Sequence, residues 1–293
     1  MRFFLTLSYD GSAFCGWQVQ PNASTVQECL EASLSTLLKE RVSVVGAGRT
    51  DSRVNAIGYV AHFDYDKVID TAKFGCKLNA ILPPSIVIHD ISVAASDTEG
   101  VPVESLPHAR FSAKRREYTY FLHRTKDPFI EAHSFHCPWK LDVEAMNEAA
   151  AALIGTHDFS CFEKVGSDNH TSICTVTEAF WAAYEPAHVA LTGYRPACGA
   201  AGLDGEGIDS ERYLYFRISA DRFLRNMVRA VVGSLLEVGR GKRTAAEFSA
   251  LVLPVPDGQG QERKRTDAEG TPLRSLAGES VPGNALFLSG IDY

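Results

Sequence analysis

Gly46-Ala47-Gly48-Arg49-Thr50-Asp51 is the most informative stretch of this sequence for both fold and function. Its glycines permit a tight backbone, and apolar runs flank it at Val42–Val45 and Val54–Phe63. Runs of this kind, rich in β-branched residues, are typical of strands. The sequence therefore predicts a loop between two strands, with two charged residues at its end.

Arg49 and Asp51 stand two positions apart, and such residues point to the same side of an extended chain. Arg49 would then pair with Asp51, keep its carboxylate ionised and aim it, as a nucleophile or a base requires. A surface ion pair beside a turn explains the same spacing, and structural pairs outnumber catalytic ones. Spacing alone favours the structural interpretation.

Strands and helices alternate irregularly on both sides of this loop, which is typical of the α+β class. A capping box at Thr25 opens a helix whose apolar residues repeat at helical intervals up to Lys39. The patterns predict further strands at Phe3–Tyr9, Ile86–Val93, Glu117–Leu122, Ser172–Ala183 and Tyr213–Ser219, helices at Lys73–Leu82, Val143–Leu153 and Phe223–Val238, and loops at 97–106, 196–210 and 254–282.

The length of 293 residues with 45% hydrophobic content fits two modest domains better than one. We place the boundary near Pro107, which gives domains 1–107 and 108–293, each with an antiparallel sheet and helices packed on one face. No apolar run approaches the ~20 residues of a membrane helix, and the first residues lead into a strand rather than a signal peptide. We expect a cytoplasmic protein with no membrane partner.

Seven scattered cysteines include no Cys-x-x-Cys pair, so we expect inert thiols and no metal. The net charge of −7 argues against a nucleic-acid partner, because Lys and Arg supply much of the affinity for phosphate. Basic residues nevertheless cluster at 114–116, at 222, 225 and 229, and at 240–243. A local basic cleft on an acidic protein is compatible with this distribution.

Other segments stand in a characteristic order along the chain. They are Tyr9-Asp10-Gly11 with Phe14-x-Gly16-Trp17-Gln18 and Thr25-Val26-Gln27; Leu78-Asn79-Ala80 with Pro83-Pro84; His108-Ala109-Arg110-Phe111-Ser112-Ala113 with Tyr118-x-Tyr120; Gly155-x-His157-Asp158-Phe159; and Phe223-Leu224-x-Asn226-Met227-Val228-Arg229. Together with the Gly-Arg-Thr-Asp loop, they resemble the tRNA pseudouridine synthase A family.

The resemblance implies isomerisation of uridine to pseudouridine in the anticodon stem-loop of tRNA, on the 3′ side of the loop and stem. It implies no metal and no cofactor, a homodimer in which one tRNA contacts both subunits, and an RNA cleft between the two domains. Asp51 corresponds to the essential catalytic residue of the family. Whether its carboxylate attacks the base, attacks the sugar or abstracts a sugar proton is left open.

The resemblance also implies roles for residues in the second half of the chain. Tyr118 corresponds to the tyrosine that packs on the target uracil, although a core aromatic in a strand explains it too. Arg229 resembles a partner of the catalytic carboxylate, alongside Arg49. Arg110 and Leu286 resemble substrate-binding positions, and a simple core strand explains Leu286 almost as well.

Arginines near these positions are candidate contacts to the RNA backbone: Arg53, Arg115, Arg222 and Arg225. On the predicted helix Phe223–Val238, Arg222, Arg225 and Arg229 form a stripe away from the apolar face. A solvated face that aids solubility explains the same stripe.

The chain departs from the family pattern directly after Asp51, where Gly and His usually stand at the positions of Arg53 and Asn55. If the glycine is needed for a positive φ, Arg53 strains the loop by roughly 1 kcal/mol or more. Tyr59 and Cys174 replace the more usual Gln and Arg. These departures keep a second function class open, a tRNA-binding protein with little or no turnover. A hydrolase built on His157-Asp158 is a third, but no Gly-x-Ser-x-Gly elbow accompanies that pair.

Overall fold

The computed structural model describes residues 1–94, 105–167, 169–193, 212–255 and 273–293. It divides the chain into two compact units, Met1–Glu117 with Phe287–Tyr293, and Tyr118–Leu286. The domain boundary at Pro107 stays a prediction, and the loops predicted at 97–106, 196–210 and 254–282 lie wholly or largely outside the described residues.

The described residues form the strands and helices of an α+β protein, as predicted. The strands are β1 (Arg2–Tyr9), β2 (Val44–Gly46), β3 (Asn55–Asp64), β4 (Ile86–Val93), β5 (Arg115–His123), β6 (Phe135–His136), β7 (Gly155–Asp158), β8 (Ile173–Ala183), β9 (Tyr213–Ala220) and β10 (Leu286–Asp292). The α-helices are α1 (Val26–Leu38), α2 (Thr71–Ile81), α3 (Val143–Ala151), α4 (Ala187–Thr192), α5 (Met227–Gly239) and α6 (Ala245–Ser249).

In the first unit the strands lie in the order β4-β1-β3-β10, and β2 pairs with β3. The pairs of β1 with β3 and β4, and of β2 with β3, are antiparallel, whereas β10 runs parallel to β3. The sheet is therefore mixed rather than purely antiparallel. The difference arises because β10 comes from the far end of the chain, where no tight hairpin dictates its direction.

The core of the first unit follows the alternation of β1, which buries Phe3, Leu5 and Leu7 completely. Helix α1 begins as predicted, because the Thr25 hydroxyl accepts the Glu28 N–H at 3.3 Å. It ends at Lys39, which adopts the left-handed conformation of a helix C-cap. Helices α1 and α2 both bury apolar residues of their own, and α2 packs against β4 while α1 contacts α2 and β2.

In the second unit the order is β5-β9-β8-β7, with β6 parallel to β5. Helix α5 is apolar on nearly every side and buries eleven of its 13 residues. The helix begins at Met227 rather than at the predicted Phe223, since Asn226 has a φ of 67° and interrupts any earlier turn.

Among the described residues, no helix has the length and apolar character needed to span a membrane.

Candidate active site

The loop that carries Asp51 leaves β2 at Gly46, where there is no room for a side chain. A Cβ on Gly46 would lie 2.2 Å from the Tyr59 hydroxyl and 2.5 Å from the Trp17 ring. The Tyr59 hydroxyl also accepts the Gly48 N–H at 3.3 Å and donates a short hydrogen bond to the Gly48 carbonyl. Tyr59, one of the departures from the family pattern, therefore holds both peptide groups of Gly48.

Thr50, directly before Asp51, rests on a buried aromatic cluster. The Trp17 and Tyr59 rings lie 4.3 Å apart, and Tyr9 meets Tyr59 edge to face at 5.6 Å. The Tyr9 hydroxyl is 2.8 Å from the Thr50 hydroxyl, and the Thr50 carbonyl accepts the Trp17 N–H at 3.2 Å. Side chain and main chain of Thr50 are both fixed, so the position of the next residue is defined as well.

Asp51 itself is half-buried, which leaves part of its surface open. Its carbonyl accepts the Val54 N–H at 3.2 Å, and its backbone passes close to Gly16. Gly16 has a φ of 96°, and a Cβ there would lie 2.6 Å from the Thr50 carbonyl oxygen and 3.2 Å from the Asp51 carbonyl carbon. The carboxylate is thus borne by a rigid backbone, the arrangement that directed proton transfer or nucleophilic attack requires.

Arg49 is exposed, and its Nε donates to the Gln18 side-chain oxygen at 3.1 Å. Gln18 donates to Gln27 at 3.0 Å, and Gln27 donates to the Val44 carbonyl at 3.0 Å. This chain of amides was missed as a functional element in the sequence, although both glutamines belong to the amino-terminal segment that carries the resemblance. Among the described residues no carboxylate lies within 4 Å of the Arg49 guanidinium, so the direct ion pair with Asp51 that the spacing predicts is not formed. A supporting role of Arg49 for Asp51 stays a prediction.

Arg53 adopts a φ of 66°, so this position does require the positive angle for which glycine is suited. Its N–H donates to the Phe14 carbonyl at 3.1 Å, and its side chain is exposed. A residue with a Cβ is strained at this φ, so Arg53 carries the strain predicted for the case in which the family's glycine provides a positive φ.

Asn55, the other departure in this loop, is 1% exposed at the start of β3. Its side-chain oxygen accepts the Gly11 N–H at 2.8 Å. Gly11 lies so close to the loop that a Cβ would be 2.1 Å from the Val54 carbonyl oxygen. Asn55 thus joins the end of the loop that carries Asp51 to the turn after β1 and makes a structural contribution.

Arg116, which we had not singled out among the candidate site residues, connects Arg110 to the loop region. Its guanidinium donates to the Ala47 carbonyl at 3.0 Å and to the Arg110 carbonyl at 2.7 Å. The Arg110 side chain itself is exposed.

Arg115 forms ion pairs with Asp292 at 2.6 Å and Glu117 at 3.7 Å, so its charge is already balanced by acids.

In the second unit, Tyr118 is 9% exposed and packs edge to face on Phe223, with ring centroids 5.0 Å apart. Tyr120 is completely buried, and burial raises the pKa of its phenol well above the usual range. Of the two tyrosines, Tyr118 alone retains exposed surface. Leu286 is 4% exposed at the start of β10.

Arg229 lies in the first turns of α5, where its Nε donates to the Val281 carbonyl at 2.7 Å. Arg222 and Arg225 precede the helix and lie on the connection from β9, so the predicted helical stripe of three arginines is wrong. The left-handed Asn226 separates them from Arg229. The Arg225 carbonyl accepts the Lys164 N–H at 3.0 Å, which fixes its backbone while its side chain is exposed.

The predicted site residues thus fall into two groups. Asp51, Arg49, Arg53, Arg110 and Arg115 belong to the first unit, and Tyr118, Arg222, Arg225, Arg229 and Leu286 to the second. Within the described parts of the chain, no group of three or more His, Cys, Asp or Glu side chains is arranged to hold a metal ion. His157 and Asp158 are engaged locally: His157 bonds to the Ile154 carbonyl at 2.9 Å, and Asp158 accepts the Ser160 N–H at 2.9 Å.

Comparison with known proteins agrees with the motifs. The family described as tRNA pseudouridine synthase matches residues 6–95 and 149–270. A tRNA pseudouridine synthase A from Bacteroides thetaiotaomicron is 41% identical over 292 residues, which cover 100% of this chain and 90% of the relative. The Porphyromonas gingivalis protein of the same name is 39% identical, with 100% and 97% covered, and the Bacillus licheniformis protein is 37% identical, with 100% and 99% covered. Similarity of this extent over entire chains means that this protein belongs to the tRNA pseudouridine synthase A family.

Proposed function

We propose that this protein isomerises uridine to pseudouridine in the anticodon stem-loop of tRNA, on the 3′ side of the loop and stem, with Asp51 as the essential catalytic residue. The observation that carries the proposal is the half-buried Asp51 on a loop that Gly16, Tyr59 and the Tyr9–Thr50 contact hold rigid. A carboxylate borne by a fixed loop on a residue that is only partly buried suits an attack or a proton transfer at a single atom.

The reaction conserves every atom of the uracil and ribose except for exchange of one proton. The bond between ribose C1′ and uracil N1 breaks, the base turns, and C1′ bonds to uracil C5. The proton on C5 leaves to solvent, and N1 gains a proton. Neither a metal nor a redox cofactor is required for this balance, and the three routes open to Asp51 all end in the same product.

The other residues take supporting roles under this proposal. Tyr118 packs on the target uracil, since a base taken out of its stack needs an aromatic or apolar surface. Arg229 and Arg49 stabilise the charge of Asp51, while Arg110 and Leu286 contact the substrate. Arg53, Arg222 and Arg225 contact phosphates, and Arg115 does so less effectively because Asp292 and Glu117 already balance its charge.

Exposed arginines of the first unit support a nucleic-acid partner despite the net charge of −7. Among the described residues, no carboxylate lies within 4 Å of the guanidinium of Arg49, Arg53 or Arg110. Unneutralised cations on one unit attract phosphates whatever the total charge of the chain. We further propose that the protein works in the cytoplasm as a homodimer.

Tritium release from tRNA labelled at uracil C5 tests the proposal directly. We expect release by the wild type and by Asp66→Asn, an exposed acid outside the loop, and none by Asp51→Asn. All three proteins should bind tRNA with affinities within about twofold, since Asn preserves the shape of Asp. Mapping of pseudouridine in the product tRNA then tests the anticodon-arm assignment.

A second candidate function, tRNA binding without turnover, is favoured by the strained Arg53 beside Asp51. It predicts salt-dependent binding of tRNA with no tritium release by the wild type. That result, together with an unchanged product after Asp51→Asn, would replace catalysis by binding as the function of this chain.

A further inference from the structure

Phe111 is a large aromatic side chain that the fold holds in place and leaves 76% exposed. The His108 ring stacks on it, with centroids 4.4 Å apart and planes inclined by 29°. His108 Nδ1 accepts the N–H groups of Arg110 at 3.0 Å and Phe111 at 3.2 Å. The Ser112 hydroxyl accepts the His108 N–H at 2.9 Å and closes the turn. Phe111 is therefore fixed by its backbone and by one stacked ring.

Beneath His108, the turn rests on β3. The His62 ring meets His108 edge to face at 4.7 Å, and His62 Nδ1 accepts the Ala109 N–H at 3.1 Å. His62 is 2% exposed, and burial lowers its pKa to about 4 and also lowers the pKa of His108. Both rings are neutral at pH 7, so both Nδ1 atoms keep accepting these hydrogen bonds.

The same turn carries positive charge and connects to the loop of Asp51. The Arg110 guanidinium carbon lies 5.7 Å from the centroid of the Phe111 ring. No carboxylate of the described residues is within 4 Å of the Arg110 or Lys114 cations. Arg116 ties the Arg110 carbonyl to the Ala47 carbonyl, two residues before Arg49.

An exposed aromatic ring beside an arginine that no carboxylate of the described residues neutralises suits a nucleic acid better than an apolar protein surface. An apolar protein surface would have to desolvate Arg110 without neutralising it, which is unfavourable. An unpaired nucleotide offers a flat base to the ring and a phosphate to the arginine, the combination found where proteins bind single-stranded nucleic acid.

We propose that Phe111, with His108 stacked beneath it and Arg110 beside it, is a platform on which one unpaired base of the tRNA stacks. This base is a second nucleotide, distinct from the uridine that reacts. The inference rests on the proposed function because it takes tRNA as the substrate. Phe111 acts as a positioning residue, since it contacts the RNA and not the reacting atoms.

Three variants test the platform: Phe111→Ala, Phe111→Tyr and, as a matched control, Phe129→Ala. Phe129 is another exposed phenylalanine, 80% accessible and located in the second unit. Loss of one stacked base should raise the KM for tRNA roughly 5- to 150-fold in Phe111→Ala, with kcat at saturating tRNA within about twofold of wild type. Phe111→Tyr, which keeps an aromatic ring, and Phe129→Ala should retain the wild-type KM.

Equal KM values for Phe111→Ala and the wild type would overturn the platform, as would a failure of Phe111→Tyr to retain affinity. Equilibrium binding of tRNA by the same proteins separates this result from the proposed function. If the wild type binds tRNA but releases no tritium, catalysis fails, while a Phe111-dependent affinity still supports the platform.

A photo-crosslinking residue, p-azidophenylalanine, at position 111 identifies the partner. Cross-links to an unpaired tRNA nucleotide other than the modified uridine support the proposal. Cross-links to a second copy of the chain, or to the modified uridine itself, contradict it. The same residue at position 129 gives the background level of RNA cross-linking.

Discussion

Arg53 shows how a single backbone angle can matter beside Asp51, the residue that we propose to be catalytic. Its φ of 66° is ordinary for glycine and unfavourable for a residue with a Cβ. The hydrogen bond from its N–H to the Phe14 carbonyl holds it there. Strain is maintained at this position by contacts made elsewhere in the loop, as is common near functional sites.

Replacement of this residue by glycine should relieve the strain. We expect Arg53→Gly to raise the free energy of unfolding by about 0.5–1 kcal/mol, measured by urea denaturation. Ser52→Gly, at the neighbouring exposed position, has no positive φ to relieve and should destabilise the protein slightly. Equal effects of the two substitutions would mean that Arg53 is not strained.

A second residue, His62, makes the stability of the protein depend on pH. Burial holds the pKa of His62 at about 4 in the folded protein, whereas the unfolded chain has the ordinary value of about 6.5. Below pH 6.5 the unfolded chain binds more protons than the folded one. The contribution of His62 is therefore complete above pH 6.5 and decreases as the pH falls toward 4.

The predicted loss at pH 5 relative to pH 7.5 is about 2 kcal/mol from this residue. In His62→Asn, the side-chain amide oxygen can replace Nδ1 as the acceptor of the Ala109 N–H, and the amide does not titrate. Urea denaturation at the two pH values should show a smaller loss in His62→Asn than in the wild type. An identical loss in both proteins would assign the pH dependence to other groups.

Helix α5 shows how elements are placed by close backbone contact. A Cβ on Gly233 would lie 1.8 Å from the Glu279 carbonyl oxygen, so the helix and this segment approach too closely for any side chain. The Ser234 hydroxyl accepts the Gly278 N–H at 2.8 Å, and Arg229 contacts Val281 through both side chain and main chain. These contacts position the arginine that we propose as a partner of Asp51.

Two glycine-to-alanine substitutions in helices should therefore have opposite effects. Gly233→Ala in α5 should lower the free energy of unfolding by about 2 kcal/mol or more, because the backbone of Glu279 must move. Gly75→Ala in α2 meets only the Ile91 side chain at 3.7 Å and should raise stability by up to ~1 kcal/mol through helix propensity. Thermal or urea unfolding checks both values, and a loss in both variants would contradict the contact at Gly233.

Across the whole molecule, the distribution of charge matters more than its sum. The chain carries −7, yet Arg53 and Arg110 of the first unit have no carboxylate within 4 Å among the described residues. Lys73, by contrast, pairs with Asp70 at 2.9 Å. Under the proposed function, such local cations would supply affinity for tRNA, because each phosphate contact releases a counterion.

The salt dependence of tRNA binding measures these contacts. We expect Arg53→Ala and Arg110→Ala each to reduce the slope of log K against log salt by roughly 0.7–0.9, and Lys73→Ala to leave it unchanged. Phe111→Ala should weaken binding at every salt concentration without altering the slope, since stacking releases no counterion. An unchanged slope in both arginine variants would remove them from the phosphate contacts.

Local patterns in the sequence determined most of the elements. The strand at Ile86–Val93 and the helix opened by Thr25 are where alternation and capping predicted them, because both signals act over a few residues. The order of the quoted motifs led to the family that comparison with known proteins confirms. The need for a positive φ at Arg53 was also foreseen as one of two possibilities.

Tertiary structure alone decided features that depend on contacts between distant residues. The sequence does not show that β10 pairs in parallel with β3, that Tyr59 holds Gly48, or that Arg116 joins the Arg110 turn to Ala47. Local periodicity predicts that α5 begins at Phe223, four residues before its actual start at Met227. The later start depends on the left-handed Asn226, whose side chain donates a hydrogen bond to the distant Ser280 at 2.6 Å. Short-range preferences set which elements form, whereas close packing between distant segments sets where each side chain of the site lies.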